Sequence, residues 1–410
     1  MSEIYTWDKR YQGHLHSAFF SGYALTGLPG GLYSDRVGSK NVLLLSFLTM
    51  GIFIFLTPLC ASLSSKMGFL LIANRILMGG AEGVQGASML SMVSEWFPSN
   101  EASTVLASIH GGMFTGSVVA FIVAPSIITC FGWQSIWYIC GACIFLWCFT
   151  WWLGVTSFPQ DHPSMTEAEL LVIQETTLPP PPPPSSSPQS EARKRPDAIP
   201  LFTLLTCPAT LAIVASSFCH DWAWYAAISW LPTYFVESHQ LSVQVAALYS
   251  AFPFLVQLVT SIAAGRLGDA MVEGASYDQV LIVRKMFSTV GFCGAGVFFM
   301  ASALTTSPIR SVVAMCLAFA FDGLHVAGYV INPLDIAPRN SGQIKGLADT
   351  FGCAAGFLAN VSVGMMAHAS SVAGVSPFTS SFMLLSSLQI VGALIFVTMS
   401  GADPRYHGFV

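Results

Sequence analysis

The sequence predicts an all-α, polytopic membrane protein built from two similar helical bundles. Three observations carry that expectation. Hydrophobic residues make up 53% of the 410-residue chain, charged residues only 9%, and mean hydropathy is +0.63; a soluble domain carries about 25% charged residues. The apolar residues fall into runs of roughly 20, the length a helix needs to cross a bilayer. A Gly-x-x-x-Asp pattern recurs in the two halves: Gly31 with Asp35, and Gly265 with Asp269. Each closes a run that begins Ser-Ala-Phe, at Ser17 to Phe19 and at Ser250 to Phe252. Paired halves of this kind build several transporter folds.

Taken in order, eleven runs qualify as spans, at about residues 14–34, 41–62, 68–93, 103–127 and 132–155, then 204–236, 244–266, 282–304, 309–332, 343–368 and 376–400. The first five form an N-terminal bundle over 1–155 and the last six a C-terminal bundle over 204–400, with a tail at 401–410. The fifth run contains Cys140 and Cys143, a C-x-x-C inside WYICGACIFLWCFTWWL; that apolar setting favours a buried packing role over redox or metal chemistry. Residues 156–203 join the bundles. They carry six consecutive prolines, Pro179 to Pro184, which favour a polyproline strut of about 3.1 Å per residue. Just before it, Ser164 and Glu167 fit a capping box opening the helix TEAELLVIQE.

Basic residues orient the chain. With the Asp35 loop on the cytoplasmic side, that side holds Arg36, Lys40, Arg193, Lys194, Arg195, Arg266, Arg284, Lys285, Arg339, Lys345 and Arg405. The other side holds Lys9, Arg10, Lys66 and Arg310, as the positive-inside rule requires. The linker and C-terminal tail are then cytoplasmic and the N-terminus lies outside. The net charge of −5 gives no reason to expect a nucleic-acid partner, and no signal peptide is visible.

Arg75 and Glu82 interrupt LLIANRILMGGAEGVQGASML, an otherwise apolar span. An ionised side chain at that depth costs a few kcal/mol at least, so such residues persist where they face a protected cavity. Seven residues are about two turns, placing both on one face about 10 Å apart along the axis. Asp322 and His325 are spaced i, i+3 and share a face, as a proton relay, a sodium site or a neutral structural pair would. Asn332 before Pro333 reads as a helix cap. Glycines spaced by four (Gly27 and Gly31, Gly79 and Gly83, Gly352 and Gly356) allow close helix packing.

The loop GLYSDRVGSK resembles the most diagnostic motif of the major facilitator superfamily, with Gly31, Asp35, Arg36, Gly38 and Lys40 in place. The stretches HSAFFSGYALTGLPGG, NRILMGGAEGV, SEWFPSNEAS, FGWQSIWY, FCHDWAWYAAISWLPTYF and DIAPRNSGQIKGLADTFGCAAGFL resemble its anion:cation symporters. That group includes vesicular glutamate transporters, sialin, type I sodium–phosphate cotransporters and plant plastid phosphate transporters; FCHDW and residues 322–332 look closest to the plastid branch. The likeness runs from about residue 7 to the end. It implies twelve spans, so it predicts one more upstream of the first run.

The resemblance implies alternating-access transport of a small anion, inorganic phosphate first and an organic anion such as glutamate or a nucleotide second, coupled to H⁺ or Na⁺. On it, Arg75 holds the anion, its guanidinium offering five fixed donors, and Glu82 serves coupling. His16, in HLHSAFF, and His220, in FCHDW, match positions able to link anion binding to protonation. Tyr23 and Tyr225 match tyrosines facing the cavity, where a phenol donates to an anion. In the loop motif, Asp35 is expected at the N-terminus of the span starting near Gly342, favoured by its dipole, and Arg36 is expected to pair with Glu95. The expected protein is a monomer in a lipid bilayer without a cofactor. The phosphate-loop pattern G-x-x-x-x-G-K-[ST] and the enzyme motifs H-E-x-x-H and G-x-S-x-G are absent. Plastid envelope, vesicle and plasma membrane all remain open as the location, and a non-transporting sensor or scaffold of the same fold stays open as the other class.

Overall fold

The computed structural model describes residues 9–64, 69–98, 101–177, 198–373 and 378–403. The apolar runs become helices α1 (Lys9–Val37), α2 (Ser39–Ser64), α3 (Leu70–Glu82), α4 (Gln85–Trp96), α5 (Ala102–Phe131) and α6 (Gln134–Gly154) in the first half. The short α7 (Glu167–Thr177) follows. The second half holds α8 (Leu201–Thr206), α9 (Pro208–His239), α10 (Val243–Val272), α11 (Tyr277–Leu304), α12 (Pro308–Asp322), α13 (Asn332–Ile336), α14 (Ser341–Ala373) and α15 (Thr379–Met399). Two predicted spans are discontinuous. The third is α3 and α4, parted at Gly83 and Val84; the ninth is α12, a 3₁₀ turn over Gly323–Ala327, and α13. Among the described residues, eight helical stretches are long and apolar enough to cross a membrane. The chain is an integral multi-pass membrane protein, and α1, α3–α4 and α9 are the more polar crossings.

Those polar crossings lie where the halves meet. α1 runs along α14 and also packs on α3, α9 packs on α14 and α15, and α5 runs along α10. The α1–α14 and α5–α10 pairs are related by the repeat, because α1 ends in Asp35 and α10 carries Asp269. In the second half, Phe235, Phe254, Phe299 and Phe319 anchor a continuous buried cluster.

Small residues set the closest approaches. A Cβ on Gly79 would collide with the Phe19 carbonyl oxygen, one on Gly22 with the Ile76 carbonyl, and one on Gly31 with the Gly342 carbonyl. The spacing by four is therefore a packing device between α1 and both α3 and α14. Gly79→Val should separate α1 from α3 and cost about 1–3 kcal/mol through overpacking. Thermal unfolding followed by size-exclusion chromatography checks this; a wild-type melting temperature would contradict it.

Several sequence expectations change. Cys140 and Cys143 are exposed on α6, not buried; the buried face of that helix carries Gly141 and Cys148, with Gly141 against the Phe55 ring. The capping box of α7 is formed two residues later than expected. Thr166 N donates to Glu169 Oε2 at 3.0 Å and Glu169 N donates to Thr166 Oγ1 at 3.3 Å. These bonds hold the Glu169 carboxyl below its ordinary range. Arg284 and Lys345 are not loop charges: both sit within helices, Arg284 buried and Lys345 one turn into α14. Asn332 does more than cap, since Nδ2 donates to Asp335 Oδ2 at 3.1 Å and to the Gly401 carbonyl at 2.9 Å. The six prolines and Arg193 to Arg195 lie outside the described residues.

Candidate functional site

Both discontinuous crossings break immediately after an acid: Glu82 before Gly83, and Asp322 before Gly323. Interrupted helices at the midplane of a repeat interface are how carriers expose backbone and side-chain ligands to cargo. Around these breaks the structure gathers a polar cluster. His220 on α9 sits between two carboxylates, Nδ1 2.8 Å from Asp221 Oδ1 and Nε2 3.2 Å from Asp322 Oδ2. Gln257 Nε2 on α10 donates to the same Asp322 oxygen at 2.6 Å. His325 Nδ1 lies 3.4 Å from Asp322 Oδ1, so the i, i+3 pair expected from spacing is present. The His220 and His325 rings meet edge to face at 5.0 Å.

A second group faces it from α14. Lys345 Nζ is paired with Asp349 Oδ1, and Asp349 Oδ2 has no hydrogen-bond partner among the described residues. Asp349 reaches the first half at Gly86, where a Cβ would lie 2.5 Å from Oδ2 and 3.8 Å from the Tyr23 hydroxyl. Asp221 is seated directly against Gly352, and a Cβ on Gly356 would lie 2.7 Å from the Tyr225 ring and 3.0 Å from that of Phe20. Phe20 and Tyr225 stack edge to face at 4.4 Å across the interface. Tyr23 is also within electrostatic reach of Glu82, Asp221 and Asp349. Helices α1, α3, α4, α9, α12 and α14 thus converge on one polar interface.

Arg75 and His16 stand apart from this group. The Arg75 guanidinium carbon lies 4.7 Å from the Trp137 ring centroid on α6, a cation–π contact. Its Nε is buried without a hydrogen-bond partner among the described residues. No ion pair joins Arg75 to Glu82 among the described residues, in keeping with their two-turn separation. His16 is exposed; its ring is 6.3 Å from that of Trp230, whose Nε1 donates to Asn360 Oδ1 at 3.0 Å.

The repeated aspartates do the same thing in opposite directions. Asp35, ending α1, accepts Gln343 N at 2.9 Å from the first turn of α14, together with the Ser91 hydroxyl. Asp269, near the end of α10, accepts Ser103 N at 3.1 Å and Thr104 N at 2.7 Å from the first turn of α5. Each half supplies the carboxylate that caps a helix of the other, where the N-terminal dipole favours negative charge. Gly38, with φ +97°, occupies a backbone conformation suited to glycine, and Lys40 Nζ donates to the Trp152 carbonyl at 3.2 Å. Arg36 and Glu95 are exposed; among the described residues no Arg36–Glu95 ion pair forms, so the pairing expected from sequence is absent.

Behind Asp269 lies a buried network that sequence reasoning missed. The Arg284 guanidinium holds Asp335 with two bonds, Nε to Oδ2 at 2.9 Å and Nη2 to Oδ1 at 3.1 Å. Its Nη1 reaches the Ala327 carbonyl at 3.1 Å and Ser103 Oγ at 3.4 Å. Asp221, Gln257, Lys345 and Asp349 were also missed. Lys345 and Asp349 carried a usable signal, a charged pair at i, i+4 inside an apolar run; Gln257 carried none.

Two helical halves meeting at a buried charged seam, with interrupted crossings and reciprocal end caps, define a polytopic membrane carrier. The chain belongs to the Major Facilitator Superfamily, whose family profile matches residues 1–360. It is 31% identical over 405 residues to the chloroplastic sodium-dependent phosphate transport protein 1 of Arabidopsis thaliana, covering 98% of this chain and 74% of that protein. It is 31% identical over 396 residues to the chloroplastic ascorbate transporter of the same plant, covering 96% and 69%. It is also 31% identical over 403 residues to the chloroplastic probable anion transporter 1 of Oryza sativa subsp. japonica, covering 98% and 72%. In structure it resembles a proton:xylose symporter bound to 6-bromo-6-deoxy-D-glucose, with TM-score 0.64 and 14% identity over 96% of this chain and 86% of that one. These are transport proteins, not enzymes.

Proposed function

We propose that this protein carries a small anion, inorganic phosphate in the leading reading, across a membrane by alternating access coupled to H⁺ or Na⁺. The observation that carries the proposal is Arg75: a guanidinium in a membrane crossing, held by an aromatic face, with a buried Nε left without a partner. An orphaned charged donor at that depth is costly unless a ligand completes it. The relative named as a sodium-dependent phosphate transporter supports phosphate and the choice of coupling ion. In this reading His16, Tyr23, His220 and Tyr225 complete the anion path, and Glu82, Asp322 and His325 carry the coupling cation. The bundles at 1–155 and 204–400 rock about that seam as a monomer, with the side that carries the Asp35 and Asp269 caps, the linker and the tail inside. The chloroplastic relatives favour a plastid envelope.

Phosphate uptake into proteoliposomes, driven in turn by proton and sodium gradients, is the test. Wild-type protein should show saturable uptake. Arg75→Ala should abolish it, and Arg75→Lys should leave it severely reduced, because an ammonium lacks the planar fork. Normal uptake by correctly inserted Arg75→Ala would sink the assignment. A second reading, an organic anion, is favoured by the Lys345–Asp349 pair beside Asp221, which offers donors and acceptors to a polyhydroxylated cargo. The ascorbate-transporting relative agrees with it. Ascorbate uptake without phosphate uptake would select that reading, and no uptake of any anion would favour a sensor.

A further inference from the structure

We propose that His220, Asp322 and His325 form a binding site for a divalent transition-metal ion, Zn²⁺ by preference. One ligand atom from each lies within 4.8 Å of the others. Around four-coordinate zinc, ligands at about 2.0–2.2 Å are separated from each other by about 3.3–3.5 Å. The contacts to Asp322 are 3.2 Å from His220 Nε2 and 3.4 Å from His325 Nδ1. These contacts are to different carboxylate oxygens, Oδ2 and Oδ1; a shift of one imidazole toward the oxygen that the other already faces brings two nitrogens and one oxygen, all within 4.8 Å of one another, to three positions of a tetrahedron.

Three further features fit a metal better than a simple ion-pair chain. Asp221 Oδ1 sits 2.8 Å from His220 Nδ1, on the side of the ring away from Asp322. That is the outer carboxylate that fixes a ligating histidine, with the proton on Nδ1 and the Nε2 lone pair aimed at the metal. His325 is 1% exposed, and among the described residues its Nε2 has no hydrogen-bond partner while its Nδ1 faces only Asp322 Oδ1, at 3.4 Å. Gln257 is 2% exposed, and among the described residues its Oε1 has no partner while its Nε2 donates to Asp322. A rotation of the amide turns that oxygen toward the site as a fourth ligand.

Two imidazoles with a carboxylate suit zinc or cobalt; calcium and magnesium demand more oxygen ligands. The side chains of His220 and Asp221 retain 15% and 19% exposure, which leaves an entry path. A bound ion would tie α9, α10, α12 and the Gly323–Ala327 turn together within one half. The proposal does not depend on what the protein transports, and its test contains no transport step.

The experiment uses full-length protein purified in detergent, stripped with a chelator and titrated with Co²⁺, then Zn²⁺. The expected result is a visible d–d spectrum of four-coordinate cobalt that lacks a near-ultraviolet thiolate charge-transfer band and is displaced by one equivalent of Zn²⁺. Asp322→Asn and His325→Gln should each weaken Zn²⁺ binding at least about tenfold, and Asp221→Asn about 10–100-fold, the range for a lost outer-sphere partner. Each variant is first shown to be monodisperse, and any one that folds suffices for the test. A wild-type protein without the four-coordinate spectrum would overturn the site. So would a thiolate band, or affinity unchanged in the folded variants, because either would place the ion on the cysteines.

Discussion

Arg284→Ala should destabilise the protein by about 3–5 kcal/mol, the range for removing one partner of a buried ion pair. The Arg284 and Asp335 side chains are only 3% and 13% exposed, and both nitrogens facing Asp335 are used. Truncation leaves the carboxylate without its counter-charge and strips the Ala327 carbonyl of its donor. It also removes the contact to Ser103, the residue whose backbone N–H is held by Asp269. The measurement is the thermal midpoint of the purified protein, compared with Arg284→Met/Asp335→Leu. The double variant should recover much of the loss, because apolar replacement of a whole buried pair is often neutral. A single variant as stable as wild type would show that the pair contributes nothing.

Asp269→Ala should open the side of the molecule that carries the caps. Removing a helix-capping carboxylate costs about 0.5–2 kcal/mol, and about 1.4 kcal/mol is a tenfold change in a two-state equilibrium. Asp269 contributes only while the halves are together on that side, because the N–H donors it accepts from belong to α5 of the other half. The expected readout is a rise of about tenfold in the labelling rate of a cysteine placed at Ala107 in a background lacking reactive cysteines. Ala107 is fully buried on α5, facing Gly265 of α10. Asp35→Ala should act in the same sense through α14, and the double variant should exceed either. Labelling unchanged in all three would mean that the carboxylates are ordinary caps with no part in gating.

Crossings were legible because bilayer thickness imposes its length on any span. The predicted first and second runs, 14–34 and 41–62, lie within α1 and α2. The break after Asp322 was not legible, because Gly323 to Ile331 are apolar apart from His325 and Tyr329 and periodicity does not register a single 3₁₀ turn. Asp35 was legible through the loop motif that the sequence resembles, which places a carboxylate at the end of its helix against the start of the span near Gly342. Asp269 was marked by the repeat, which gave no partner for it; its place against the first turn of α5 came from the structure. Arg36 with Glu95 failed because charge complementarity on neighbouring loops says nothing about direction, and both side chains point outward. Lys345 was read as a loop cation because it lies one turn from a helix start; its i, i+4 spacing to Asp349 was the signal to the contrary, and the placement of Asp349 beside Gly86 shows the direction that the pair faces. Among the predicted site residues, Tyr23, His220, Tyr225, Asp322 and His325 converge, while His16 stands apart and Arg75 turns to α6, a neighbour that no helical spacing could name.

The reciprocal caps also bear on how the chain is assembled. α5 is completed by a residue 165 positions downstream, and α14 by one 308 positions upstream. During synthesis α5 therefore leaves the translocon with an uncovered first turn and waits until α10 has been made. If the polypeptide were cut between α7 and α8, each fragment would carry a carboxylate with no amides to hold and a helix start with no carboxylate. Neither piece satisfies its own backbone, so the two should mature poorly alone and recover when made together, each acting as the missing terminus of the other.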